Sequence, residues 1–163
     1  MRPSWDRLPR DSAALFNPAF LTVLIGRGIQ GAVQQEREGL PWEVAYLVVP
    51  MCLDAQTRES LPMRINSPVV SWVAKNPEVR SLLPGKLSAM SHFVSEGISF
   101  GLMGDVLELD QHTLRTGSHR LPKTSTGSTP EVRDIQKTAY FLGRWFAAYP
   151  STQGLYSLFG VRP

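Results

Sequence analysis

Apolar residues recur every three to four positions in several stretches of the chain, and each stretch is bounded by a cap or a breaker. Asn17-Pro18 joins a favoured N-cap to the residue favoured first in a helix. Phe16, Phe20 and Leu24 then share one face, with Val23 beside them, so "NPAFLTVLI" predicts a helix start. "GRGIQGAVQQERE" continues that helix through a glycine-rich, loosened middle until Gly39-Leu40-Pro41 ends it. Pro41 opens "PWEVAYLVVPMCL", which is apolar nearly all round and reads as a buried element. Pro50 cannot donate to a ladder, so a helix kinked near it is preferred to a central strand. "DAQTRESLP" follows as an Asp-capped helical turn ended by Pro62.

Further on, Ser67 is expected to cap a helix with Pro68 in first place, stopped by Asn76-Pro77 and followed by a short helical piece. A separate helix is expected from Lys86 to about Leu102. Met90, Phe93, Val94 and Ile98 form its apolar face, and Ser88, Ser91, His92 and Ser95 its polar one. "DVLELDQHTLRTG" is the clearest β pattern: Leu107 and Leu109 alternate with Glu108 and Asp110, Gln111-His112 turns the chain, and Thr113-Leu114-Arg115 returns. "SHRLPKTSTGSTP" reads as a mobile polar loop. Pro130 and Glu131 open the last helix, with Ile135, Ala139, Leu142 and Phe146 on one face, and the tail "STQGLYSLFGVRP" is apolar enough to dock back.

These elements predict a mainly α (α+β) fold: a winged helix-turn-helix-like helical domain with a small β-hairpin wing and a C-terminal helix. One domain covers 1–163. Within it, 1–14 is expected to be irregular, 15–116 a helical core with the wing, 117–130 a flexible loop, and 131–163 the C-terminal helix and docking tail.

Composition adds little until charge is located. Hydrophobic residues make up 42% and charged residues 19%, ordinary for a soluble globular protein. The lone Cys52 excludes an internal disulfide and sits in apolar sequence, so it reads as a small buried hydrophobe. No secretory signal is recognisable and no apolar run approaches a bilayer span, so a cytoplasmic protein with no membrane partner is expected. The net charge of +3 equals the contribution of Arg115, Arg120 and Lys123, in a stretch from Gln111 to Pro130 that has no acid. A local basic patch is therefore present in a protein that is no polycation.

Candidate chemistry is sparse. Gly26-Arg27-Gly28-Ile29-Gln30-Gly31 matches the G-x-G-x-x-G of dinucleotide-binding units, with Asp54 about where a ribose-binding acid would be sought. That unit needs strand, glycine turn, long helix and second strand. Here a helix cap precedes the glycines, Gly39 leaves about two turns for the crossover, and Pro50 breaks the second strand. The bland reading, close helix packing or a local kink, is preferred, and no cofactor is expected. His92, His112 and His119 lack paired-ligand spacing, so no metal site is assigned. No serine lies in a nucleophile motif, and neither glycine-rich stretch ends as a phosphate loop does. No catalytic residue is assigned, and the chain is expected not to be an enzyme.

A recognition helix followed by a wing would contact nucleic acid through Lys86, Ser91 and His92 on the helix and Arg115, His119, Arg120 and Lys123 on the wing. So few cations predict weak, salt-sensitive DNA binding. The alternative use of the same fold is protein docking with a solvated serine face.

The succession "LFNPAF", "LPWEVAYLVVPMCLDAQTRESLP", "SWVAKNPEVR", "GISFGLMGDVLEL" and "AYFLGRWFAAYPSTQGLYSLFGVRP" resembles the middle component of three-component ABC systems over roughly Leu15 to Pro163. The resemblance implies a small non-enzymatic protein encoded beside an SMC- or Rad50-like ABC ATPase and a variable effector in bacterial conflict or anti-phage defence. Its implied role is to bridge the two, with direct DNA contact and homodimer formation left open. No catalytic residue carries over. Trp5, Phe159 and Val161, apolar and near the ends, are the candidate partner contacts. A stand-alone winged-helix DNA-binding regulator is the alternative.

Overall fold

The chain's computed structural model describes residues 4–125, 127 and 129–161. A 3-10 turn, Trp5–Arg7, and helix α1, Arg10–Leu15, occupy the segment expected to be irregular. Helix α2, Pro18–Val33, starts as its sequence predicts, with the Asn17 side chain accepting from the Ala19 amide at 2.8 Å. Strand β1 is only Leu40–Pro41; helix α3 is Trp42–Leu53 and runs through Pro50; helix α4 is Ala55–Ser60. Helices α5, Val69–Lys75, and α6, Pro77–Met103, come next, then strands β2, Leu107–Asp110, and β3, Thr113–Thr116. Helix α7, Pro130–Ala147, is capped by Thr129, and helix α8, Thr152–Leu158, by Ser151. The protein is mainly α with one small antiparallel sheet.

Two boundaries differ from expectation for physical reasons. Pro68, not Ser67, occupies the cap position of α5; the Ser67 carbonyl instead accepts the Trp145 indole N–H at 2.7 Å. A buried indole has one donor to satisfy, and this carbonyl satisfies it. The piece after Pro77 and the helix from Lys86 are one continuous α6, with Pro84 inside. Val79, Leu83 and Leu87 form an uninterrupted buried stripe across that proline. Their burial, about 1.5–3 kcal/mol each, outweighs the roughly 3 kcal/mol that an internal proline costs.

The sheet order is β1-β3-β2. The hairpin pairs Leu107 with Thr116 and Asp110 with Thr113, and Gln111 turns it in the left-handed region at φ 55°. The added strand was not foreseen: Leu40 pairs with Leu114 and Pro41 with Thr113. A proline is tolerated there because β1 is an edge.

Helix α2 is the axis of the core. It lies against α7 and α6, and α3 lies against both of these. The glycines predicted to loosen it do the reverse. Gly28 faces Gly143 of α7 so closely that a Cβ on Gly143 would lie 2.6 Å from the Gly28 Cα; one on Gly31 would lie 2.8 Å from the Arg144 amide nitrogen. The tail docks as expected, with Leu155, Tyr156 and Phe159 buried. Trp145, Trp72, Phe146 and Phe159 form a cluster of edge-on and stacked rings beneath it. Among the described residues, no helix is long and apolar enough to cross a membrane.

Candidate functional site

The glycine run is continuous helix from Pro18 to Val33, buried on the faces its glycines open. There is no turn and no free helix N-terminus at which a pyrophosphate could be held, which discards the dinucleotide loop. Arg27, the second residue of that run, has a structural task that its sequence context hid. It is 2% exposed, and burial lowers the pKa of its guanidinium from the ordinary value. Its Nε donates to Gln136 at 3.2 Å, Nη1 to Gln30 at 3.0 Å and to the Pro122 carbonyl, and Nη2 to the Thr124 carbonyl at 3.0 Å. No carboxylate pairs with it among the described residues. Carbonyl dipoles therefore hold a buried charge, and the stretch Leu121–Thr124, expected to be mobile, is tied to α2 and α7 by it.

The candidate nucleic-acid residues are distributed unequally. On α6, Lys86 donates to Asp54 at 2.7 Å, and His92 Nε2 lies 3.1 Å from Glu96. Ser91 is exposed and donates to the Ser88 carbonyl. Asp54 also accepts from the Thr57 amide and hydroxyl at 3.0 and 2.7 Å. Burial raises the Asp54 pKa, but the bonds from Lys86 and Thr57 and the ammonium charge outweigh it and hold the carboxyl below its ordinary value. On the hairpin, Arg115 is paired with Glu38 and, at 3.0 Å, with Asp110. The ring Nδ1 of His119 lies 3.1 Å from the Gly104 carbonyl. Arg120 and Lys123 are exposed, and neither has an ion-pair partner among the described residues.

Of the candidate partner contacts, Phe159 is corrected outright: at 1% exposure it belongs to the core, because the tail folds its ring onto Trp72 and Phe146. Trp5 is half-buried and packs on the core from the first turn. Val161 is also half-buried, and it does line a surface feature. A groove of about 350 Å³ lies between the start of α3, the middle of α6 and the C-terminal segment, with Trp42, Tyr46, Leu87, Ser91, Tyr156 and Val161 in its walls. Ser91 and Val161, proposed for different purposes, thus share one site. Trp42 remains 38% exposed at its mouth and stacks edge-on against Tyr46 at 5.8 Å. The Tyr46 hydroxyl is fixed to Ser95 at 2.7 Å, and the Tyr156 hydroxyl donates to the Glu43 carbonyl. Burial, and after it the nearby Glu43 carboxylate that also lines the groove, push the Tyr156 phenol pKa up, so the phenol stays protonated.

Trp42 and Tyr46 escaped the sequence reading because they fell inside a run taken as uniformly buried. The available signal was position: an aromatic in the first turn after Pro41, four residues from a second one. Cys52 is fully buried with its thiol pKa pushed up by desolvation, which leaves it in the unreactive thiol form. Among the described residues no cluster of three or more His, Cys, Asp or Glu could hold a metal ion.

Among the described residues, fold and surface define a mainly helical protein whose exposed features include an aromatic-lined groove and a set of cations without ion-pair partners. A family model for the ABC-three component (ABC-3C) system Middle Component 3 matches residues 5–163, and the chain belongs to that family. No curated protein and no solved structure matches it.

Proposed function

We propose that this chain is a non-catalytic adaptor that bridges an SMC- or Rad50-like ABC ATPase and an effector within a bacterial defence complex. Membership of the middle-component family supports partnership with the other components of such a system. The observation that carries the reading further is the Trp42 groove. It combines an exposed aromatic ring, aliphatic walls from Leu87 and Val161, and a serine rim from Ser88 and Ser91. A pocket of this make-up suits an apolar anchor side chain from a partner component, the arrangement in which interface energy concentrates.

Co-expression with the ATPase and the effector encoded beside it is the test. Wild type is expected to co-purify with both. Trp42→Ala is expected to weaken one of these contacts by about 2 kcal/mol, roughly thirtyfold in Kd, while thermal stability stays within a few degrees because the ring is partly exposed. A folded wild-type chain that ignores both neighbours refutes the adaptor role. Unchanged affinity of Trp42→Ala for both removes the groove from it.

A further inference from the structure

In the last third of the chain the positive charge left after ion pairs are subtracted is not on the hairpin itself but on the loop that follows it and on α7. From residue 111 to 161 the chain has six Lys or Arg and two acids, Glu131 and Asp134. Both acids are held by Arg58, each at 3.3 Å. Arg115, the cation on the hairpin, is neutralised by Glu38 and Asp110. Arg120, Lys123, Arg133, Lys137 and Arg144 remain, and none of the five has an ion-pair partner among the described residues.

These five are gathered along one side. Arg133, Lys137 and Arg144 are four and seven residues apart on α7, which places them within an arc of about 40° at 3.6 residues per turn. Glu131 and Asp134 lie roughly 160° and 100° round from Arg133. The loop bearing Arg120 and Lys123 is brought to the same flank. Arg27 ties the Pro122 and Thr124 carbonyls to Gln136 of α7, and Arg133 donates to the Gly127 carbonyl at 3.4 Å. Arg120, Lys123, Arg133 and Lys137 are exposed and Arg144 half-buried. The α7 cations alone span about 16 Å, the axial rise of roughly five successive phosphates on one strand.

We propose that this ridge contacts the phosphate backbone of a nucleic-acid duplex, in place of the α6 face and hairpin that a winged-helix docking would use. The inference does not depend on the adaptor reading. Its surface lacks what an acidic protein partner would exploit: none of the large exposed hydrophobic side chains among the described residues falls between 111 and 161. Protein interfaces concentrate their energy on apolar and aromatic anchors, whereas nucleic-acid interfaces are polar and strongly cationic.

Fluorescence anisotropy of the full chain with labelled DNA and RNA duplexes of about 20 base pairs tests this. Five phosphate contacts predict a slope of log Kd against log salt near 4.5, a loss of roughly 500-fold in affinity between about 50 and 200 mM salt. Lys123→Glu/Arg133→Glu/Lys137→Glu should lower that slope by about 3 and weaken low-salt binding by more than about tenfold. Arg120→Glu/Lys123→Glu, which leaves α7 untouched, should lower it by about 2. Lys86→Gln and Arg115→Gln should bind as wild type does. Binding of either duplex with this pattern supports the proposal. It is overturned if wild type binds neither duplex at low salt, if both charge-reversal variants bind like wild type, or if polyglutamate binds while the duplexes do not.

Discussion

Gly143→Ala sets two opposing effects against each other at one methyl group. An alanine in a helix interior is favoured over glycine by about 1 kcal/mol, so helix propensity alone predicts stabilisation. The contact between α2 and α7 predicts the opposite. The added Cβ would lie 2.6 Å from both the Gly28 Cα and its carbonyl carbon, with the carbonyl oxygen closer still, and these are backbone atoms that cannot rotate away. Ordinary contact begins near 3.4 Å, so the two helices must part by about 0.8 Å or more, a gap that already forfeits a quarter to a half of the dispersion energy of each contact at the seam. Overpacking of this kind costs about 1–3 kcal/mol in well-packed cores. Because α2–α7 is the most extensive helix pair in the protein, the upper end applies, and after subtracting the propensity gain a net loss of about 2 kcal/mol remains. At about 2–4 °C per kcal/mol for a chain of this size, thermal unfolding followed by circular dichroism should show a fall of roughly 4–8 °C. Gly85→Ala is the matched control, since a Cβ there meets nothing within 4 Å and α6 should gain a degree or more. Equal gains at both positions would refute the argument that close backbone approach, and not flexibility, explains glycine at Gly143.

Arg27→Met removes the donors that satisfy the Pro122 and Thr124 carbonyls and Gln136; about 2–4 kcal/mol of stability should be lost, and trypsin should cut after Lys123 faster than in wild type. Asp54 carries a depressed pKa, so its contribution is present above the ordinary carboxylate value of 3.8 and is lost as pH falls through the lower folded value. Urea unfolding of Asp54→Asn should be weaker than wild type by up to about 1 kcal/mol at neutral pH, the worth of a partly exposed ion pair to Lys86, since Asn caps α4 as well as Asp does, and the two curves should converge as acid protonates the wild-type side chain. Convergence at high pH instead would reverse the sign of that linkage.

The elements that sequence exposed most clearly were those whose local signals agreed with their packing. Asn17-Pro18 and Pro130 marked helix starts, and the alternation through Leu107 and Leu109 marked a strand whose partner followed two residues later. Local punctuation misled where distant contacts overrode it. Pro84-Gly85 reads as an end until the stripe of Val79, Leu83 and Leu87 is seen packed, and Leu40-Pro41 reads as a stop until Leu114 arrives from seventy residues away to pair with it. Surface assignment fared worst, because the net charge of a segment says nothing of pairing. Lys86 and Arg115 find Asp54 and Glu38 from remote parts of the chain, whereas Lys137 and Arg144, inside an apparent core helix, do not. Phe159 looked exposed because it stands near an end, yet the tail returns it to the tryptophan cluster.

The glycines of α2 also set an order in time. Three of them within six residues weaken the isolated helix by about 3 kcal/mol relative to alanine, so the segment gains little from coiling before its neighbours are present. The surface that compensates belongs to α7, and Gly143 leaves the ribosome more than a hundred residues after Gly28. The first long helix of the chain therefore finds its full set of neighbours only once α7 has been made, and a nascent chain stopped short of α7 leaves the Gly28 and Gly31 face of α2 without its cover.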